Sequence, residues 1–148
     1  MAEYKQILNN YKALPGGLLE AYHAVQGEYN YLPGEAVREA AAVFGVSASQ
    51  AFGTATFYSY LKIGKRGRYI IRICESAPCH IAGAAEIITV LEKELGIKMG
   101  ETTADGKFTL EFTECVGQCQ ATPVITINSV PYTDIKPAQV PEMLAQCR

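Results

Sequence analysis

From residue 3 to about residue 60, apolar side chains recur every three or four positions, the period of an amphipathic helix. Ile7, Leu8 and Tyr11 share a face in a helix from Glu3 to Lys12. Pro15-Gly16-Gly17 interrupts the pattern, and Leu18, Leu19, Tyr22, Val25 and Gln26 line a second helix from Gly17 to about Tyr29. Ala36, Val37, Ala40, Ala41 and Phe44 mark a third, from about Gly34 to Phe44, with Pro33 where a helix can begin and Gly45 where one commonly stops. Ser47-x-x-Gln50 reads as a capping box opening a fourth helix through about Tyr60. Four helices joined by short loops predict a small helical bundle.

The period then changes. Tyr69-Ile70-Ile71-Arg72-Ile73-Cys74 is a short β-branched run, a candidate central strand. Ile81, Ala84, Ile88, Leu91 and Leu95 predict a helix from Ile81 to Leu95, with Gly96 as its stop. Phe108, Leu110 and Phe112 alternate with Thr109, Glu111 and Thr113, the mark of a half-buried strand. Val124 to Ile127 predicts another strand, Asn128-Ser129 a turn, and Val130 to Tyr132 a return strand. Pro137 opens a last helix to about Gln146. The order β-α-β-β-α predicts a small α/β sandwich. The fold class expected is therefore α+β, a helical bundle over residues 1–66 followed by an α/β domain over residues 67–148.

Composition narrows the function classes. Net charge is −2, so no global basic field exists to hold a polyanion. Met1 to Lys12 carries Glu3, Lys5 and Lys12 and does not resemble a signal peptide. Ala40 to Leu61 is uncharged but rich in Gly, Ser and Thr, a poor membrane span. These features lead us to expect a soluble, cytoplasmic protein with no membrane insertion of its own. In that compartment the five cysteines are expected as metal ligands or redox groups rather than structural disulfides.

Cys74 and Cys79 have four residues between them, and Cys115 and Cys119 have three. Each pair follows a predicted strand, so adjacent strands would bring four thiolates to one loop-built site. Four thiolates suit a [2Fe–2S] cluster or a tetrahedral zinc. Zinc usually takes paired cysteines with two residues between them, whereas a binuclear cluster tolerates wider gaps; cluster, zinc, and a disulfide or plain buried thiols all stay open on spacing. A thioredoxin-type Cys-x-x-Cys is absent, and a Rieske centre needs two histidines where only His23 and His80 exist. Glu75, Glu86, Glu111 and Glu114 flank the cysteines, and residues 75–86 and 109–130 contain no Lys or Arg. Added acid disfavours accepting an electron, so a cluster here is expected at the low end of the potential range. Loop amides, with Gly83 and Gly117 allowing close approach, would pull the other way.

The chain resembles the small iron–sulfur subunit of the NADH-dehydrogenase module of respiratory complex I and of NAD-linked hydrogenases and formate dehydrogenases. The resemblance rests on Tyr31-Leu32-Pro33, Ala55-Thr56-Phe57-Tyr58, Gly67-x-Tyr69, Cys74-x4-Cys79 followed by Gly83-Ala84, Asp105-x-x-Phe108-Thr109, Cys115-Val116-Gly117-x-Cys119 and Pro123. Thr122, Val116 and Arg66 depart from the family's usual residues without removing a cysteine. The resemblance implies a thioredoxin-like C-terminal lobe with a [2Fe–2S] cluster on Cys74, Cys79, Cys115 and Cys119. It further implies docking on a flavoprotein subunit that binds FMN and NAD(H), neighbouring a larger iron–sulfur subunit, with single electrons exchanged between cluster and flavin. FMN and NAD(H) are expected on the partner, since no G-x-G-x-x-G or P-loop is present in this chain. It also suggests a cis bond at Thr122-Pro123.

Other features read more plainly. Lys62, Lys65, Arg66, Arg68 and Arg72 give +5 in eleven residues, expected as a solvated connector or a docking patch. The third and fourth helices could mimic a helix-turn-helix, but Ser47 to Tyr60 has no Lys or Arg to hold phosphates, so no nucleic-acid partner is expected. Phe52, Phe57, Tyr58 and Tyr60 are expected mostly in the core, with part of that face as an interface. His80 is expected to lie beside the site without ligating, His23 to be a surface or packing residue, and Cys147 a spare thiol. The rival to an electron carrier is a zinc-stabilised interaction module without redox activity.

Overall fold

The computed structural model describes residues 2–147; Met1 and Arg148, the outer limits of the expected domains, lie outside them. The chain divides into two compact units, Met1–Lys65 and Arg66–Arg148.

The first unit contains helices α1 (Ala2–Tyr11), α2 (Gly17–Tyr29), α3 (Gly34–Phe44) and α4 (Ala48–Phe57). Gly45 ends α3 in the left-handed conformation. The expected capping box opens α4: the Gln50 N–H donates to Ser47 Oγ at 3.2 Å and the Ser47 N–H donates to Gln50 Oε1 at 3.1 Å. Leu8, Tyr22, Val25, Leu32, Val37 and Ala40 form the centre of the core. Tyr22 is fully buried, and its hydroxyl donates to the Ala51 carbonyl at 2.9 Å. Burial pushes its phenol up to about 12.

Gln26, expected on an apolar face, is a buried clamp. Its amide donates to the Tyr60 carbonyl at 2.9 Å and accepts from the Lys62 N–H at 2.8 Å. Helix α4 stops at Phe57, three residues before the expected end, because Tyr58 turns extended and the chain is drawn onto this clamp. The expectation that Phe52, Phe57, Tyr58 and Tyr60 belong to the core is corrected: all four are exposed, Phe57 at 79%. The small Ala51 and Ala55 make the buried side of α4 instead.

The second unit carries a four-stranded sheet in the order β2-β1-β3-β4. Strand β1 (Tyr69–Cys74) lies parallel to β2 (Phe108–Thr113), from Tyr69↔Phe108 to Cys74↔Thr113. It lies antiparallel to β3 (Ile125–Ile127), which returns through Asn128-Ser129, both at positive φ, into β4 (Val130–Tyr132). Ile71, Ile73, Leu110 and Ile125 pack with Ile87 and Leu91 in one core. The other face of the same strands presents Arg72, Thr109, Glu111 and Thr126, since side chains alternate along a strand.

The helix expected from Ile81 to Leu95 is two helices, α5 (Ala77–Ile81) and α6 (Ala84–Leu95). They part at Gly83, whose φ of 102° breaks the helical path, so Ile81 is 84% exposed rather than on the buried face. Phe112 is likewise 48% exposed, while Thr109 is buried. The last helix begins as a 3-10 turn, Pro137–Gln139, before α7 (Val140–Ala145). Thr122-Pro123 is cis, as the resemblance suggested.

Gly67, two residues before β1, passes close to the backbone at the start of β2. A Cβ there would lie 2.8 Å from the Phe108 carbonyl carbon and 2.9 Å from the Lys107 carbonyl. Its N–H donates to Thr109 Oγ1 at 2.7 Å. Gly67→Ala is therefore expected to destabilise the second unit by about 1–3 kcal/mol through overpacking against rigid backbone. A lowered denaturant midpoint at unchanged slope checks this; an unchanged midpoint would show that the strands can spread.

Candidate metal centre

Parallel pairing decides where the cysteines go. Cys74 is the last residue of β1, beside Thr113, the last of β2. Cys79 lies in the short helix that follows β1, and Cys115 two residues beyond the end of β2. Cys119 opens a 3-10 turn, Cys119–Ala121, that leads into β3. Two segments far apart in sequence thus end at one edge of the sheet.

The two pairs sit in different surroundings. Cys74 and Cys79 are buried, at 2% and 1% exposure, whereas Cys115 and Cys119 are exposed. Cys115 Sγ and Cys119 Sγ are 3.2 Å apart. Cys79 interacts with Cys74 and Cys119, and Cys115 with Cys74 as well as Cys119. Each pair therefore faces the other. Among the described residues, no three or more His, Cys, Asp or Glu side chains are arranged to hold a single metal ion.

Backbone amides reach two of the sulfurs. The Gly117 N–H lies 3.4 Å from Cys115 Sγ, and the Val124 backbone bonds to the Cys79 thiol. Gly117 has φ 79°, and a Cβ there would meet no atom within 4 Å. Its positive φ is needed for the turn that aims its N–H at sulfur. Val124 also accepts from the Cys74 N–H through its carbonyl, at 3.2 Å. One strand-edge residue thus touches both inner cysteines.

The thiols respond accordingly. The Gly117 amide, then the Cys119 hydrogen bond, holds Cys115 below the ordinary thiol value. Cys119 is raised by donating to Cys115 and then by burial. Burial, followed by its hydrogen bond with Cys74, pushes Cys79 up against the pull of the Val124 amide. Cys147 is buried 4 residues beyond Met143, its Sγ 3.7 Å from the Met143 carbonyl, and burial raises it too. It belongs to the hydrophobic core of the second unit.

The charge pattern expected around the site needs correction. The expected connector of five basic residues is not uniformly solvated. Arg66 and Arg72 have side chains only 5% and 12% exposed, and both pair with Glu111. Arg66 Nη1 lies 3.2 Å from each Glu111 oxygen, and Arg72 Nε lies 3.1 Å from Oε2. One of the four acids counted around the cysteines is therefore bound to two guanidinium groups. The pairing had a signal in the sequence: Arg72 and Glu111 are the single charged residues of their strands. The Val124 contacts had none, because they depend on how β3 docks beside β1. His80 is exposed, and His23 is exposed and stacks on Tyr60 at 5.5 Å.

Four thiols in two facing pairs, with amides directed at sulfur, suit a binuclear cluster that takes two thiolates on each iron. A sheet of this topology with such a site defines a small redox-cofactor domain preceded by a helical bundle. The chain belongs to the thioredoxin-like [2Fe–2S] ferredoxin family, whose model matches residues 4–148. Among curated relatives it is similar to a component of the NADH-quinone oxidoreductase of Escherichia coli (strain K12), 39% identical over 93% of this chain and 82% of the relative. It is also similar to the HndA component of the NADP-reducing hydrogenase of Solidesulfovibrio fructosivorans, 29% identical over 97% of this chain and 85% of that one. Among solved structures, an NAD+-reducing [NiFe]-hydrogenase in the H2-reduced state superimposes with a TM-score of 0.79 at 26% identity. That match covers 88% of this chain and 22% of the solved chain.

In the iron-free protein, an alkylating reagent is expected to modify Cys115 before Cys79. Cys115 is exposed, and its depressed value gives more thiolate near neutrality. The difference should be largest at mildly acidic pH and shrink as pH rises and the other thiols ionise. Site-resolved mass spectrometry over a pH series measures it; equal rates at both positions would contradict the contrast.

Proposed function

We propose that this chain is an electron-transfer subunit that holds one [2Fe–2S] cluster on Cys74, Cys79, Cys115 and Cys119. The observation that carries this reading is the meeting of a buried and an exposed cysteine pair at one sheet edge. The cluster supplies one-electron chemistry between two oxidation states. The protein's part is to fix its thiolates and to control water at each. Cys74 and Cys79, closed off from solvent, hold the inner side rigidly. Cys115 and Cys119 leave the outer side open toward a redox partner.

The partner, in this reading, is a flavoprotein subunit carrying FMN and NAD(H), which exchanges single electrons with the cluster. A larger iron–sulfur subunit lies further along the chain of transfer. The parent complex is an NADH dehydrogenase or an NAD-linked hydrogenase or formate dehydrogenase. The names of the relatives support this placement. So do the exposed apolar side chains on the segments that carry the cysteines, Ile81, Phe112 and Val116. Exposed apolar side chains of this kind would be covered by a docked subunit. In this reading the chain is not catalytic alone, and it binds neither NAD(H) nor FMN. Among the described residues, no helix is long and apolar enough to cross a membrane, which agrees with a subunit peripheral to any membrane part.

Protein purified without air is expected to contain about two irons and two acid-labile sulfides per chain, and to give a paramagnetic signal after dithionite reduction. Colourless protein with stoichiometric zinc would overturn the reading in favour of a structural metal module. Cys115→Ser is expected to lower iron retention at least about tenfold, beyond the loss of a supporting contact, while the helical circular-dichroism signal persists. Unchanged iron and visible spectrum in that variant would remove Cys115 from the site.

A further inference from the structure

In the guanidinium–carboxylate–guanidinium group of Arg66, Glu111 and Arg72, Arg72 and Glu111 each lie two residues before the last residue of β1 and β2, the strands that lead into the cysteine segments. Arg72 and Cys74 are two residues apart on β1, so their side chains leave the same face of the sheet, about 6.6 Å apart along the strand. Glu111 stands directly opposite Arg72 on β2, two residues before Thr113, which pairs with Cys74. Arg66 approaches Glu111 from the segment before β1 and is almost fully buried. The three groups carry a net charge of +1 where water screens little, because all three side chains are at most 13% exposed.

We propose that this triad sets the reduction potential of the cluster. The inference rests on the reading that the four cysteines hold [2Fe–2S]. Two ferric ions, two sulfides and four thiolates sum to −2, and the added electron makes −3. A fixed positive charge two residues from a ligand stabilises the more negative state and raises the potential. Glu111 moderates the effect by offsetting one of the two guanidinium charges. The acids around the site push the potential down, and the triad opposes them. A single carboxylate shared by two arginines also ties the segment before β1, β1 and β2 together. That second role is structural and makes a different experimental signature.

The test is a charge ladder read by spectroelectrochemical titration of the purified, cluster-loaded protein. Arg72→Met takes the triad to 0, Arg72→Lys and the Arg72→Met/Glu111→Gln double variant keep +1, and Glu111→Gln gives +2. At a fixed ambient potential, Arg72→Met is expected to lower the reduced-to-oxidised ratio about three- to tenfold, and Glu111→Gln to raise it by a similar factor. Tenfold corresponds to 59 mV for one electron. The two charge-conserving variants should stay within about twofold of the parent. A purely structural role would move both single variants in the same direction, or would cost them cluster without shifting the potential of what remains; either result overturns the proposal. If Arg72→Met does not load, the sign for Glu111→Gln decides, and a lowered or unmoved potential there overturns it. If neither single variant loads, the triad holds strands and the proposal falls. A parent protein that binds no iron would instead defeat the cluster reading, before any ladder is measured.

Discussion

The second unit depends on the parallel pairing of β1 with β2. Parallel neighbours end at the same edge, so Cys74 finishes beside Thr113 and the loops that follow carry Cys79 and Cys115 outward together. An antiparallel pair would have sent the two cysteine segments to opposite ends of the sheet. Parallel pairing in turn demands a crossover, and α6 supplies it while covering the apolar face with Ile87 and Leu91. Gly67 sits where that pairing begins, because only a residue without a side chain lets the two backbones approach so closely. Core packing, strand order and the grouping of thiols are thus consequences of one register.

Burial then separates the inner and outer cysteines. The inner pair is placed by regular structure, a strand end and a short helix. The outer pair lies in a loop whose conformation is held by Gly117 and a 3-10 turn. In the proposed reading, the same unit offers rigidity to one side of a cofactor and access to the other. Exposure also divides the charges: Arg66, Glu111 and Arg72 are withdrawn from water, while Glu75, Glu86 and Glu114 are exposed.

Much of this was legible in the residues alone. The helical period located all four helices of the first unit, and Ser47 and Gln50 announced their cap because a capping box is local chemistry. The strands at Tyr69 and Phe108, the Asn128-Ser129 turn and the pairing of cysteines by spacing were equally local. What escaped was decided by tertiary contacts. Phe52 and Phe57 looked like core because aromatic residues usually are, but Ala51 and Ala55 are the residues that fit against the neighbouring helix. The helix at Ile81 looked continuous because its apolar period runs through Gly83, and a single positive φ interrupts it. Gln26 read as an amphipathic-face residue, and only the return of Tyr60 and Lys62 shows why a buried amide belongs there. The arginines at 66 and 72 read as part of a basic run because linear charge counting ignores a carboxylate forty residues away.

The difference in solvent access between the two cysteine pairs also dictates how the site can be filled. Once the second unit has folded, Cys74 and Cys79 present almost no surface to solvent, while Cys115 and Cys119 stay exposed. In the proposed reading, a cofactor reaching the folded unit would therefore meet the outer thiolates before the inner ones, with the loop from Glu114 to Gln118 on its path.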